Sequence, residues 1–343
     1  MINPLPIRLG LNPTRAQVPL SSTSAVRAED FLKALISDQR HRHPADDDSA
    51  LAERFARDEV VLDSGEILRP DSLLRPGMFV NFYRQPAAER PVPGELRVLF
   101  SDATLLVIDK PPFLATLPRG QHITETALVK ARVEFGIPEL SPSHRLDRLT
   151  RGVLMFTVRP EVRGAYQTMF DRRVPLKTYE AITEVPDDAP MNPIPRFSQW
   201  RSWPEPTPDD PWVLRHHMIK IRGRLSTFLD EDVPASEMNA LTKVVGMRTE
   251  VRDGREIAVW QLQPGSGKTH QLRVVMRSLG LPILNDPLYA DVDDSALLTP
   301  NGTLPRPVFV EDEDFTKPMG LIAKRLDFTD PLTGKARSFI SQY

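Results

Sequence analysis

The spacing of apolar residues divides the chain into a short N-terminal part and a longer part in which strands and helices are mixed. Apolar residues recur at helical spacing over Ala25 to Ile36 and Ser49 to Asp58, and Met78 to Tyr83 is rich in strand-forming residues. A proline-rich connector follows. The pattern predicts a small N-terminal α/β domain over residues 1–90 and a second domain over residues 91–343.

The second part contains several predicted strands and at least two predicted helices. Thr124 can cap a helix that runs to Phe135, and a further helix covers Glu161 to Arg172. The predicted strands are Arg97 to Phe100, Leu105 to Ile108, Leu154 to Val158, Lys177 to Ile182 and Glu256 to Leu262.

A proline- and tryptophan-rich insertion near residues 186–241 interrupts this pattern. Eight prolines occur in the 26 residues from Pro186 to Pro211, together with Trp200 and Trp203, and Trp212 follows directly. A disordered segment would rarely carry three tryptophans. We therefore expect an ordered but irregular insertion.

Composition and length exclude several classes of protein. The chain has 343 residues, of which 40% are hydrophobic and 26% are charged, and it has no cysteine, so disulfides, thiolate chemistry and cysteine-bound zinc are excluded. The start lacks a secretory pattern, and no apolar run approaches the about 18 residues of a membrane span. Its seven histidines form no convincing ligand set. We expect a cytoplasmic protein without a metal and without a membrane partner.

Charge is unevenly distributed along the chain. The net charge is −2, yet eight Lys and Arg residues but only three acidic residues lie between His144 and Lys177. Such a patch can bind RNA phosphates even in an acidic protein. A solvated basic face remains the alternative.

The segment PGSGKTHQLRV, Pro264 to Val274, ends like a nucleotide-binding phosphate loop. That loop needs a glycine five residues before Gly267, and this position is Leu262. We therefore expect no nucleotide cofactor.

Asp147 lies among three arginines in SHRLDRLTRGVLMF, just before an apolar strand. Neighbouring guanidinium groups lower the pKa of a carboxyl group and keep it ionised. An ionised carboxylate can serve as a nucleophile or a general base. A structural ion pair at the junction of loop and strand is the alternative.

Five segments in the same order resemble the RluA-type pseudouridine synthases. HRLDRLTRGVLMF resembles the catalytic motif HRLDxxTSGxL of that family. The other four are DATLLVIDKPPFL, VPLKTYEAI, GKTHQLR with the following LGLPILNDPLYA, and the C-terminal Pro318 to Phe339. The chain departs from the family at Arg151, Lys268 and Val275, where serine, arginine and histidine are usual. These departures leave the chemistry in place and the RNA target open.

The resemblance implies an α+β fold built on a mixed, largely antiparallel sheet. It further implies an isomerase, a monomer in our expectation, that converts a uridine of ribosomal or transfer RNA to pseudouridine without a cofactor. The target base must leave the RNA stack, because a stacked base hides its glycosidic carbon. An RNA-binding protein of the same fold without turnover is the alternative.

The resemblance also implies roles for single residues. Asp147 is the essential catalytic group, Arg273 pairs with it, and Tyr179 stacks on the uracil and is a candidate for the proton step at C5. For substrate binding, Leu272 lies on the other side of the base, Arg145 fills the gap that the flipped base leaves, and Lys177 and Lys110 are phosphate contacts or structural.

The N-terminal part loosely resembles a small ribosomal-protein-like RNA-binding module. The likeness lies mainly in its ending, where a glycine and leucine are followed by PGMFVNFY. An RNA-binding role and a purely structural role both remain open.

Overall fold

A computed structural model describes residues 4–21, 24–39, 41–188, 191–292, 297–298 and 312–343. The chain divides into two compact units. The first contains residues 1–91 and 117–140, and the second contains residues 92–116 and 141–343. Residues 117–140, which the sequence pattern assigns to the second domain, therefore group with the first unit.

The first unit packs three helices with two small antiparallel sheets. The sheets have the strand orders β1-β5-β3 and β2-β4. Its core is formed by apolar residues such as Leu32, Phe55 and Phe82. The elements are β1 (Thr14–Gln17), β2 (Val26–Arg27), α1 (Ala28–Ser37), α2 (Asp48–Ala56), β3 (Val60–Leu62), β4 (Leu73–Leu74), β5 (Phe79–Phe82) and α3 (Ala127–Glu134).

Buried polar contacts explain why residues 117–140 join this unit. The guanidinium of Arg132, on α3, donates to the carbonyls of Gly10 and Leu140. Thr124 was predicted to cap the helix, but its hydroxyl donates to the Glu89 carboxylate, and the hydroxyl of Thr126 caps α3 instead. The sequence pattern missed this because the contacts join residues far apart in the chain.

The second unit is built on one mixed sheet of eleven strands. Its strand order is β12-β11-β13-β14-β10-β15-β9-β7-β6, with β16 paired to β15 and β8 paired to β9. The elements are β6 (Arg97–Ser101), β7 (Leu105–Lys110), β8 (Ser141–Pro142), β9 (Arg151–Thr157), α4 (Pro160–Asp171), β10 (Leu176–Thr183), β11 (Trp212–Ile219), β12 (Phe228–Asp230), β13 (Ala240–Arg252), β14 (Arg255–Pro264), α5 (Gln271–Ser278), β15 (Leu321–Thr329) and β16 (Ala336–Ile340).

The pairing of β9 with β15 is parallel, and the other pairings in the described part of this sheet are antiparallel. The expected α+β fold with a mixed, largely antiparallel sheet is therefore confirmed. The parallel contact requires Gly152, because a Cβ at this position would lie 2.4 Å from the carbonyl oxygen of Ala323. Gly152 thus brings β15 close to the start of β9, directly after the loop that carries Asp147.

The described residues of the insertion pack around a tryptophan cluster, and the insertion also adds β11 and β12 to the edge of the sheet. Short 3-10 turns cover Pro195–Phe197 and Trp200–Ser202. The buried ring of Trp200 lies 5.8 Å from that of Trp212 and 6.0 Å from that of Trp260 on β14. Aromatic packing therefore replaces regular secondary structure in the irregular part.

Candidate active site

The backbone on both sides of Asp147 is fixed by hydrogen bonds. The hydroxyl of Thr116 donates to the Leu146 carbonyl at 2.7 Å and accepts from the Leu146 N–H at 3.1 Å. The ammonium of Lys110 donates to the Arg148 carbonyl at 3.1 Å, and the Thr150 N–H donates to the Asp147 carbonyl at 3.0 Å. The half-buried Asp147 carboxylate itself accepts no hydrogen bond from any residue that the structure describes. Its position is thus set by its neighbours.

Lys110 is fully buried at the end of β7. Its ammonium also donates to the carbonyls of Pro111 and Leu114, at 2.8 and 2.7 Å. Burial, with the nearby charge of Arg148, lowers the pKa of Lys110 to about 7, and the charge of Asp147 opposes this change. Because every proton of the ammonium has a carbonyl acceptor, Lys110 acts in the folded protein as a structural cross-link, which was one of its two predicted roles.

The three arginines around Asp147 are directed elsewhere, contrary to the expectation from the sequence. Arg148 forms a bidentate ion pair with Glu313, in which Nη1 donates to Oε2 at 2.5 Å and Nη2 donates to Oε1 at 2.7 Å. The half-buried Arg151 lies over the ring of Tyr343, 5.2 Å from its centre, and Arg145 is exposed. None of the three forms an ion pair with Asp147 in the described part of the chain. The partners of Arg148 and Arg151 are distant in sequence, so local spacing could not identify them.

The structure brings Asp147, Tyr179 and Arg273 into one electrostatic neighbourhood. Burial raises the pKa of the half-buried Tyr179, and the Asp147 carboxylate raises it further. Burial opposes ionisation of Arg273, but Asp286 and, more weakly, Asp147 raise its pKa. The residues come from the loop before β9, from β10 and from α5, so the mixed sheet is what assembles them.

Arg273 does not pair with Asp147 as predicted; its partner is Asp286. Nε of Arg273 donates to Oδ2 at 2.7 Å, Nη2 donates to Oδ1 at 2.5 Å, and both side chains are buried. The backbone N–H groups of Leu288 and Tyr289 also donate to Asp286. Sequence reasoning missed Asp286, although it lies in the matched segment LGLPILNDPLYA. Burial explains the difference, because an unpaired buried guanidinium would be costly.

The predicted substrate-binding residues lie in three different settings. Leu272 is buried beside Arg273 on α5, and Arg145 is exposed. Burial lowers the pKa of His270, at the start of that helix, and the charges of Arg273 and, more weakly, Arg145 lower it further. Lys177 is half-buried, with its ammonium 4.9 Å from the centre of the Phe170 ring. Burial lowers the pKa of Lys177. Lys177 and Tyr179 line one open depression on the sheet, together with His144 and Leu326.

The side chain of Gln271 binds the backbone of the GKT segment, Gly267 to Thr269. Its carbonyl oxygen accepts from the Lys268 N–H at 3.1 Å and from the Ser266 hydroxyl at 2.9 Å. A phosphate-binding loop would direct such N–H groups at the nucleotide. Here the Lys268 N–H donates to Gln271 instead of facing a ligand. The helix α5 begins after His270, whose φ is +56°.

No group of three or more His, Asp or Glu residues that could hold a metal ion occurs in the ranges that the structure describes. In the same ranges, none of the helices has the length and apolar character needed to cross a membrane.

Comparison with known proteins identifies relatives of this chain. Residues 104–278, which carry Asp147, Tyr179 and Arg273, match the family model described as RNA pseudouridylate synthase. The dual-specificity RNA pseudouridine synthase RluA of Haemophilus influenzae is 25% identical over 252 residues, covering 73% of this chain and 94% of the relative. Human pseudouridylate synthase RPUSD2 is 27% identical over 241 residues, covering 68% of this chain and 37% of the relative. The solved structure of human RNA pseudouridylate synthase domain containing 1 covers 73% of this chain and 85% of that chain, with a TM-score of 0.49 and 19% identity.

The fold and the family match define an RNA-modifying isomerase. The chain belongs to the RNA pseudouridylate synthase family, since the family model covers half of its length. It is an RNA pseudouridine synthase, and its substrate is RNA.

Proposed function

We propose that this enzyme isomerises a specific uridine of ribosomal or transfer RNA after flipping it out of the RNA stack, with Asp147 as the essential catalytic group. One observation carries the proposal. The backbone of the Asp147 loop is fixed on both sides, while the carboxylate accepts no hydrogen bond within the described ranges. A fixed and unpaired carboxylate is ready to act on a substrate.

The reaction rearranges bonds within one nucleotide. The bond from ribose C1′ to uracil N1 breaks, the base rotates, and a bond from C1′ to C5 forms. The proton of C5 leaves and N1 gains a proton, so that no atom is gained or lost overall. Asp147 either attacks C1′ or removes a proton from C2′; both roles need an ionised carboxylate.

Tyr179 is the proposed stacking partner of the uracil. Because burial and Asp147 raise its pKa, Tyr179 is a neutral phenol at neutral pH. A neutral ring stacks on a base at little cost in desolvation. Tyr179 could accept the C5 proton only after losing its own, so the stacking role is the one we favour for the resting enzyme.

Arg273 is the proposed cationic neighbour of Asp147, acting through its charge rather than through an ion pair. Its guanidinium is already held by Asp286, which fixes its position before RNA binds. A fixed cation stabilises a nearby carboxylate and negative charge that develops during the reaction. Leu272, next to Arg273, would cover the other face of the base.

Arg145 and Lys177 are the proposed contacts with RNA outside the base. Arg145 is exposed, so it can enter the gap left by the flipped nucleotide. Lys177 has no carboxylate partner in the described part of the chain, so a phosphate is its proposed ligand.

Replacing Asp147 by asparagine tests the proposal. We expect Asp147→Asn to lower the single-turnover rate at least about 1,000-fold, while the Kd for RNA changes less than about threefold, because affinity comes mainly from phosphate contacts. Turnover close to that of the wild type in Asp147→Asn would remove Asp147 from the catalytic role.

A further inference from the structure

The segment of residues 312–318, called the strap here, contacts the loop that carries Asp147. Glu313, on the strap, is 8% exposed and binds both terminal nitrogens of Arg148, at 2.5 and 2.7 Å. Phe315, also on the strap, packs on Phe113 with ring centres 5.1 Å apart. The strap therefore fixes the side chain of the residue that follows Asp147.

Phe113 ties the strap to the turn that Lys110 crosslinks. It has a φ of +65°, in the left-handed region where a glycine would be usual, and its side chain is buried. Its carbonyl also accepts from Arg148, at 3.4 Å. Because Lys110 binds Leu114 and Arg148 at once, the turn, the strap and the Asp147 loop form one connected unit.

The position of the Arg148 guanidinium determines whether the Asp147 carboxylate stays unpaired. Both charges act on Lys110: burial lowers its pKa most, Arg148 lowers it further, and Asp147 raises it. The two residues are neighbours in the chain, and Asp147 has no ion-pair partner in the described ranges. A guanidinium released from Glu313 would thus have a free carboxylate on the adjacent residue. An ion pair there would occupy the oxygen atoms that the reaction needs.

We propose that Glu313 is a positioning residue that sequesters Arg148 from Asp147 and so leaves the catalytic carboxylate free. The proposal rests on the catalytic role proposed for Asp147. It assigns to Glu313 an effect on the rate of the chemical step, exerted through Arg148, and no contact with RNA.

Two substitutions test this proposal. The first removes the charge of Glu313 and should lower kcat, and the second removes the guanidinium of Arg148 and should reverse that loss. We expect Glu313→Gln to lower kcat about 10- to 100-fold with KM for RNA little changed, because the freed Arg148 captures Asp147. Adding Arg148→Gln should then restore kcat to the value of Arg148→Gln alone.

Two further variants separate this effect from a loss of folding. Asp314→Asn changes an exposed carboxylate of the same strap and should keep wild-type kcat. Glu313→Asp keeps the charge and should retain most of the activity. Thermal unfolding is recorded for every variant. If Glu313→Gln does not fold, the same comparison is made with Glu313→Ala, alone and together with Arg148→Gln, with the same expected loss and restoration of kcat.

The double variant decides the question. The proposal is wrong if Glu313→Gln folds and keeps wild-type kcat, or if the double variant is as slow as Glu313→Gln. Failure of the proposed catalytic role looks different, because Asp147→Asn would then remain active whatever the strap variants do.

Discussion

At the scale of single residues, the account depends on how buried charges are satisfied. Lys110 is the clearest case, because its ammonium meets three backbone carbonyls in a fully buried position. We expect Lys110→Met to destabilise the protein by about 2–4 kcal/mol, since it leaves buried carbonyls without donors. Urea unfolding measures the difference, with the exposed Lys335→Met as control. Equal stability of the two variants would contradict the cross-linking role.

The pH dependence of this difference reports the charge state of Lys110. Its pKa falls from 10.5 in the unfolded chain to about 7 in the folded protein. The unfolded chain therefore binds more protons between these values, and wild-type stability rises with pH across this window. Lys110→Met lacks the group, so the stability gap should widen by up to about 1.4 kcal/mol per pH unit. A gap that stays constant from pH 7 to 10 would show that the carbonyls keep the ammonium charged.

Candidate site residues could be named from the sequence, but their interaction partners could not. The motifs single out Asp147, Tyr179 and Arg273 as candidates, because each stands in a short characteristic segment. The partners Asp286 and Glu313 were missed. Glu313 is 165 residues from Arg148, and such a pair exists only once the fold has brought both segments together. Local charge spacing therefore misjudged where the arginines around Asp147 would point.

At the scale of elements, the helix α4 and the strand β10 followed from the sequence pattern to within a residue or two. The helix was predictable because its buried residues, Val162, Tyr166 and Met169, recur at helical spacing. The strands β11 and β12 of the insertion were not separately predicted. In β11 the buried positions alternate, at Leu214, His216 and Met218, but the polar His216 among them hides this alternation in the sequence WVLRHHMI.

The insertion gives a prediction at this scale. Trp200 is buried against Trp212 and Trp260, so it joins the irregular turns to the edge of the sheet. We expect Trp200→Ala to lower the free energy of unfolding by about 3–5 kcal/mol. Asp209→Ala, at an exposed position of the same insertion, should have little effect. If urea unfolding gave Trp200→Ala the stability of the wild type, the insertion would not be anchored by this cluster.

At the scale of the whole molecule, a protein of two compact units with a net charge of −2 must bind RNA, which is itself negatively charged. Basic residues that face solvent can make the phosphate contacts. Four arginines of the basic segment are exposed: Arg145, Arg159, Arg172 and Arg173. In contrast, Arg148 pairs with Glu313 and Arg151 lies over the ring of Tyr343. The patch read from the sequence is thus smaller on the surface than its eight basic residues suggested.

The central claim is that this chain makes pseudouridine at specific uridines through Asp147. The direct measurement incubates total RNA, from cells of the source organism that lack the gene, with purified wild-type protein or with Asp147→Asn, and maps pseudouridine at single-nucleotide resolution. We predict that the wild type adds pseudouridine at one or a few defined positions of ribosomal or transfer RNA, without added nucleotide and in the presence of EDTA, and that Asp147→Asn adds none. Bound RNA without any new pseudouridine would contradict the account and would favour an RNA-binding protein without turnover.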